Sequence, residues 1–384
     1  MIDLPAIVGQ EQPISRLQRN IAAGRMHHAL LFAGPAGVGR RTTAVALGKV
    51  LLCENPITTE NKGQILGLGE NEPARLACGV CESCKLFDGG THPDFHLVYK
   101  ELARYHEDSS VRNRVMQDLG IPIIRKHVIA PAMRSATKGV GKVFVILETE
   151  LINSSAQNAL LKTLEEPPAG VTIILICKRP EQLLPTTRSR CALIRFGQLP
   201  TDFITSQLAN AGVAADEANF WAAFTGGSLG NAQRLSSAGM YETKRQVISQ
   251  IANLSQAGDA ALGEKLAKMT DQIADAHVKL VKKEQDANMS KTLATRQATG
   301  TMLQLIASAF SDALKIAASV HATPVNADQI NDINMLASKF SPSQLAEIIE
   351  QLSEFEKLLW RNLNAKVIWD NVVITCASAA MLRL

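Results

Sequence analysis

The nine residues Gly34-Pro35-Ala36-Gly37-Val38-Gly39-Arg40-Arg41-Thr42, GPAGVGRRT, decide how the first half of this chain folds. They follow a short apolar run, Leu30-Leu31-Phe32-Ala33. They lead into RRTTAVALGKVLLC, whose apolar residues recur at helical spacing as far as Cys53. Strand, glycine-rich turn and helix in that order make the frame of a phosphate-binding loop, where backbone N–H groups and a helix N-terminus face an anion. The glycines from Gly34 to Gly39 keep the spacing of such loops. The pattern then requires Lys and a hydroxyl residue, and the chain has Arg40 and Arg41. Gly34, Gly37, Gly39, Arg40 and Thr42 are the candidate contacts of a degenerate loop. Arg40 offers a planar fork rather than a compact ammonium, and Arg41 cannot ligate a cation. Thr42 lies one position late, turned by about 100° around the helix. The frame is retained while the groups that do its chemistry are not, so ATP hydrolysis is not expected.

Two further apolar runs, Lys142–Leu147 (KVFVIL) and Val171–Ile176 (VTIILI), suit strands buried on both faces of a parallel sheet. Between them Ser154–Glu166 reads as a helix with Ala156, Leu160, Leu161 and Leu164 on one face, stopped by Pro167-Pro168. Alternation of this kind to about Gly197 predicts a doubly wound α/β domain over residues 1–198. A hydrolysing site of this type also takes an Asp at the end of a buried strand to hold Mg²⁺. Here that position is Leu147, and Glu148 falls where a water-activating acid would stand. Polar segments 54–77 and 103–118 read as excursions from the fold. Past Leu199 the strand signals end. Residues 199–240, with the turn TGGSLGN, read as a small helical lid. Residues 241–384 read as an all-α region of about five helices, broken at SQAGDA, HATPVNAD and KFSPSQ.

A chain of 384 residues calls for more than one core. Its 46% apolar and 20% charged residues are those of a globular protein, and a net charge of +4 permits a nucleic-acid partner without requiring one. No apolar run reaches the ~18 residues of a membrane span. The N-terminal MIDLPAIVGQEQP lacks the apolar core of a signal peptide, so a cytoplasmic location is the expectation. In that compartment clustered cysteines point to metal rather than to disulfides. Cys78-x2-Cys81-x2-Cys84, in CGVCESC, is such a cluster, with Cys53 upstream and His92 downstream as candidates for a fourth ligand. Four thiolates make a closed, structural zinc site, and the same ligands also serve iron–sulfur clusters. Cys177, Cys191 and Cys376 are isolated and read as small core residues.

SAQNALLKTLEEPP, Ser155–Pro168, followed by PTTRSRC, Pro185–Cys191, resembles the clamp-loader branch of the AAA+ ATPases. IVGQEQ, HHALLFAGPAGVGR and CGVCESC followed by HPD fit the same family. The resemblance covers about the first 235 residues. The C-terminal helices are compatible with the family's collar domain. An intact loop would mark the motor (tau/gamma) branch, whereas the degenerate loop and the missing Asp resemble the delta-prime branch of the bacterial loaders. The resemblance implies a zinc module, about residues 53–92, held by Cys53, Cys78, Cys81 and Cys84. It also implies that Arg190, the Arg of Ser-Arg-Cys, is a trans-acting finger directed at a neighbour's ATP site. By residue type alone Arg190 would be a solvated strand-end charge beside Arg188 and Arg195. Gly230 matches the position of a nucleotide-sensing Arg on the lid. The implied partners are the motor and clamp-opening subunits, the sliding clamp, and primer–template DNA through the complex. Two other readings come from the residues: an active ATPase in which Arg40 and Glu148 take over the lost roles, and a nucleotide-independent DNA-binding module using Arg104, Arg112, Arg114, Arg125 and Lys126.

Overall fold

The computed structural model describes residues 3–61, 63, 65, 67–108, 111, 118–254, 260–285, 290–359 and 365–381. The chain divides into two units, Met1–Pro200 and Thr201–Leu384.

The first unit is built on a five-stranded parallel sheet. Its strands are β1 (Ala29–Ala33), β4 (Phe95–Val98), β5 (Lys142–Ile146), β6 (Val171–Cys177) and β7 (Ala192–Arg195), in the order β4-β5-β6-β1-β7. β1 and β5 are buried at every position, which is why ALLFA and, after Lys142, VFVI read as apolar runs. Leu31 of β1 lies between Leu175 of β6 and Leu193 of β7, so β1 is an interior strand, flanked on both sides, and its C-terminal end opens where ligands of such sheets bind. The flanking helices include α1 (Glu11–Ala22), α2 (Arg40–Leu52), α3 (Glu82–Asp88) and α4 (Ser154–Glu165). Asn153 caps α4 by accepting from the Ala156 N–H at 2.9 Å. Leu160 and Leu164 of α4 join Phe144, Ile146, Ile173 and Leu175 in the core.

Four strands have no counterpart in the expectations from sequence: β4, β7, and the antiparallel hairpin of β2 (Ile57–Glu60) and β3 (Pro73–Leu76). Each has four residues, too few for a periodicity, and FHLV of β4 carries His96 in its middle. The hairpin lies inside the 54–77 excursion. Its connection is ordered by the buried Asn61 side chain, which donates to the Ile65 and Leu68 carbonyls at 3.0 and 2.8 Å and accepts from the Ile65 N–H at 2.7 Å. Ile65, Leu68 and Ala74 then pack on Ile14. Within the 103–118 excursion, residues 109, 110 and 112–117, including Arg112 and Arg114, lie outside the described residues.

The second unit is helical: α5 (Thr201–Asn210), α6 (Ala215–Phe224), α7 (Leu229–Ser237), α8 (Met240–Ala252), α9 (Ala260–Gln285), α10 (Lys291–Ala317), α11 (Ile330–Lys339), α12 (Pro342–Leu358) and α13 (Ala365–Met381). Six helices from Met240 onward stand among the described residues, where the sequence suggested about five. Two boundaries have no break expected from sequence, α9/α10 and α12/α13; the first is marked by Ser290, an N-cap accepting from Leu293 N–H at 3.2 Å.

A buried ion pair ties α6, α8 and the turn before α11 together. Lys244 has no exposed side-chain surface, and its Nζ lies 2.7 Å from both carboxylate oxygens of Asp328. It also sits 4.1 Å from the centre of the Phe220 ring, and Tyr241 Oη donates to Asp328 at 2.8 Å. Burial lowers the Lys244 pKa and Asp328 opposes that shift. Asp328→Ala leaves the ammonium buried without its partner and is expected to cost about 3–5 kcal/mol. Lys244→Met in the same chain should recover much of that loss, because it removes the orphaned charge. Urea unfolding of the full chain reads both, and equal stabilities for single and double variants would refute the assignment.

Candidate functional site

The phosphate-loop frame is present at the C-terminal end of β1. Gly34 has φ 151°, and a Cβ there would stand 2.3 Å from the Phe196 carbonyl oxygen, so only glycine fits. Gly39, at φ 96°, caps α2 in a left-handed conformation. The side chains that follow are turned to other uses. Arg40 is buried, and its Nη1 donates to the carbonyl of Cys177 at the end of β6, the strand beside β1. Burial lowers the pKa of this guanidinium, with Glu150 opposing the shift. Arg41 is exposed and Thr42 half-buried. The hydroxyl of the next residue, Thr43, donates to the Gly39 carbonyl at 2.9 Å. At the end of β5, Leu147 N–H donates to Val98 O at 2.9 Å. Glu148 takes a left-handed backbone, φ 49°, which is uncommon for a residue with a side chain. Its carboxylate pairs with Lys100 at 3.2 Å. The two groups that would have to replace a missing Lys and a missing acid are therefore each engaged with the protein itself.

Cys53, Cys78, Cys81 and Cys84 come together, with all four Sγ atoms within 4.8 Å of one another. The Sγ of Cys53 lies 3.6, 3.9 and 3.6 Å from those of Cys78, Cys81 and Cys84, and Cys78 and Cys84 are 4.0 Å apart. A tetrahedral zinc with Zn–S bonds of about 2.3 Å has sulfur–sulfur edges of ~3.8 Å. The donor set thus fits one ion, while a four-iron cluster spreads its thiolates over separate irons and needs a wider cage. The spacing of the ligands has a local cause. Three residues on from Cys78 and from Cys81, the N–H of Cys81 and of Cys84 donates back to the sulfur at 3.4 Å. The Cys81 sulfur thereby caps α3, and the C-x2-C-x2-C repeat becomes a folded knuckle. Gly79, at φ 74°, makes its turn. Backbone N–H groups of Val80 and Cys81 hold the Cys78 thiol down at about 6, close to the thiolate a metal requires. Cys53 is delivered by the C-terminal end of α2 and receives the Cys78 N–H at 3.3 Å.

His92 is not among these ligands. Its Nε2 lies 2.8 Å from Ser83 Oγ, which itself donates to the Leu52 carbonyl at 2.5 Å, so the imidazole must be the donor. Its Nδ1 accepts from Asp94 N–H at 3.1 Å. The neutral ring braces the helix bearing Cys84 against the one ending at Cys53, and burial lowers its pKa. Asp94, fully buried, accepts from the N–H groups of Thr137 and Lys138, each at 2.8 Å. The His-Pro-Asp motif is thus a structural joint between metal module and sheet. Of the isolated cysteines, Cys177 and Cys376 are buried and Cys191 is half-buried.

Arg190 lies in the turn that enters β7, at the N-terminal edge of the parallel sheet, whereas the phosphate loop lies at the C-terminal edge. Its side chain is about one-third exposed. Nε and Nη2 donate to Oε1 of Glu165, the last residue of α4, and Nη1 donates to the Thr186 carbonyl at 2.8 Å. Glu165 carries no signal in the sequence beyond its place in LEEPP. Its pairing spans 25 residues and only the fold creates it.

A degenerate phosphate loop on a parallel α/β sheet, a four-cysteine module inserted after α2, the helix that follows the loop, and a helical C-terminal unit define the class. The DNA polymerase III delta subunit family matches residues 9–200, and the C-terminal domain family of the same subunit matches residues 270–375. The chain belongs to the DNA polymerase III delta subunit family. It is 30% identical over 245 residues to the DNA polymerase III subunit delta' of Escherichia coli K12, covering 64% of this chain and 65% of that protein. It is 32% identical over 231 residues to the delta' subunit of Pseudomonas aeruginosa PAO1, covering 59% and 61%. Against the tau subunit of Salmonella typhimurium LT2 it is 31% identical over 202 residues, or 53% of this chain and 26% of that one. The match spans just under two thirds of the delta' relatives. Identity alone does not separate the delta' relatives from the tau relatives. No described helix is long and apolar enough to cross a membrane.

Proposed function

We propose that this chain is a delta-prime-type subunit of a bacterial DNA polymerase III clamp loader. In this reading it does not hydrolyse ATP itself and supplies Arg190 as a finger to the ATP site of a neighbouring motor subunit. The observation that carries the reading is the contrast between an intact glycine frame and the Arg40 guanidinium bonded to the Cys177 carbonyl. With Arg41 and Leu147 in place of a hydroxyl and an Asp, the protein contributes no Mg²⁺ ligand at the usual positions. Gly230, in the first turn of α7, adds no cation from the lid. The zinc of the four-cysteine module is structural, since four protein ligands close the coordination shell. Residues 199–240 serve as the lid and 241–384 as the oligomerising collar. The partners are motor (tau/gamma) and clamp-opening (delta) subunits, the sliding clamp and, through the complex, primer–template DNA, in the cytoplasm.

Purified full-length chain is expected to show no ATP turnover above a blank, with or without DNA. Turnover that disappears on Glu148→Gln would instead establish the active-ATPase reading, in which Glu148 leaves Lys100 to activate water. The DNA-binding reading is less well supported, because Lys126 is paired with Glu107 at 3.0 Å and Arg104 also has a partner.

A further inference from the structure

The surroundings of Arg190 deepen the finger reading, and the role assigned to its neighbour rests on that reading. We infer that Glu165 is the positioning residue of the finger, holding one edge of the guanidinium so that its other edge faces outward to a neighbour's phosphate. A guanidinium carries five N–H donors in a rigid plane. Nε and Nη2 share one edge, and both donate to the same Glu165 oxygen, Nε at 2.5 Å. Nη1 donates to the Thr186 carbonyl. Each Nη therefore keeps one N–H uncommitted, and that of Nη2 lies on the end-on edge, where it can meet a phosphate oxygen.

The two residues differ in how firmly they are held. Glu165 ends α4, whose Leu160 and Leu164 are fully buried in the sheet core. Arg190 sits on a turn after the single-turn helix Pro185–Arg188. A long side chain on a turn gains a defined direction only from a partner on a rigid element. With that direction set before the neighbour docks, the finger has less freedom to lose in the transition state. The negative end of the α4 dipole favours the cation at the same place. Glu166, the adjacent acid, is exposed and provides a control one residue away.

The test uses the reconstituted loader with clamp and primer–template DNA, and measures kcat and KM for ATP with assembly, zinc content and thermal midpoint verified. Glu165→Gln should remove part of the adjoining site's share of the ring's kcat with little change in KM, a loss no larger than that caused by Arg190→Ala. Glu165→Asp should retain part of the rate, and Glu166→Gln should match the wild type. Combined with Arg190→Ala, Glu165→Gln should add nothing further. If Arg190→Ala slows the loader while Glu165→Gln matches or exceeds wild type, the positioning role is wrong; in the faster case Glu165 sequesters the finger. Additive losses in the double variant would mean that Glu165 acts elsewhere in the fold. If Arg190→Ala itself has no effect, the finger reading falls first and the role of Glu165 with it.

Discussion

Arg190→Ala should slow ATP hydrolysis at the adjoining motor site by about 10³–10⁵-fold, the range for a finger that stabilises the transferring phosphoryl group. The total rate of the ring should fall less, because its other motor sites keep fingers of their own, while clamp loading onto primed DNA should fall with the affected site. Folding should be preserved. Arg190 and Glu165 are about one-third and nearly half exposed, and ion pairs in that range contribute roughly 0–1 kcal/mol. Arg190→Lys should not restore the rate, since a compact ammonium lacks the planar fork that fixes its direction against Glu165 while presenting donors to phosphate. The measurement is clamp- and DNA-stimulated ATPase of the assembled complex. Wild-type hydrolysis and loading by a correctly assembled variant would reduce Arg190 to a surface charge.

Metal analysis should find one zinc per chain, and Cys84→Ser should abolish it. Cys84 is buried at the start of α3, in the same helix as Phe87, whose ring packs on Phe95 of β4 with centres 4.7 Å apart. Structural zinc in small domains contributes an apparent ~10–16 kcal/mol of folding free energy at neutral pH. Here the module is also braced by Ser83, His92 and Asp94, so the loss should fall on residues 53–92 rather than on the whole sheet. Limited proteolysis should cut within the module of the variant, or of chelator-treated protein, while the five-stranded sheet and the helical unit persist. A colourless protein without metal, equally resistant to protease, would overturn the zinc assignment, and a coloured protein containing iron would replace it. His92→Gln should keep the zinc and loosen the module slightly, because an amide can still donate to Ser83.

The buried strands β1, β5 and β6 were legible in the sequence because burial on both faces leaves them almost wholly apolar, with Lys142 and Thr172 only near their starts. α2 and α4 were legible from helical spacing and, for α4, a double proline at its end. The cysteine knuckle was legible because its geometry is local: each sulfur accepts an N–H three residues on. Cys53 and His92 could not be ranked by spacing alone. The choice depends on where α2 ends relative to α3, and on Ser83 accepting the histidine's Nε2–H hydrogen bond. The short strands β4 and β7 were not legible, since four residues in a sheet are specified by their neighbours.

The loss of loop chemistry was determined by the sequence itself, because no fold can make Arg41 a hydroxyl or Leu147 a carboxylate. What became of Arg40 was decided only by the tertiary structure, which brings the Cys177 carbonyl, 137 residues away, onto its guanidinium. The parallel sheet likewise puts Arg190 on the edge opposite the phosphate loop, beside Glu165. Residue types and local spacing carry chemistry that acts within a turn or two of backbone. Which distant carbonyl or carboxylate meets a long cationic side chain depends on strand order and register, and those come from burying the whole core at once.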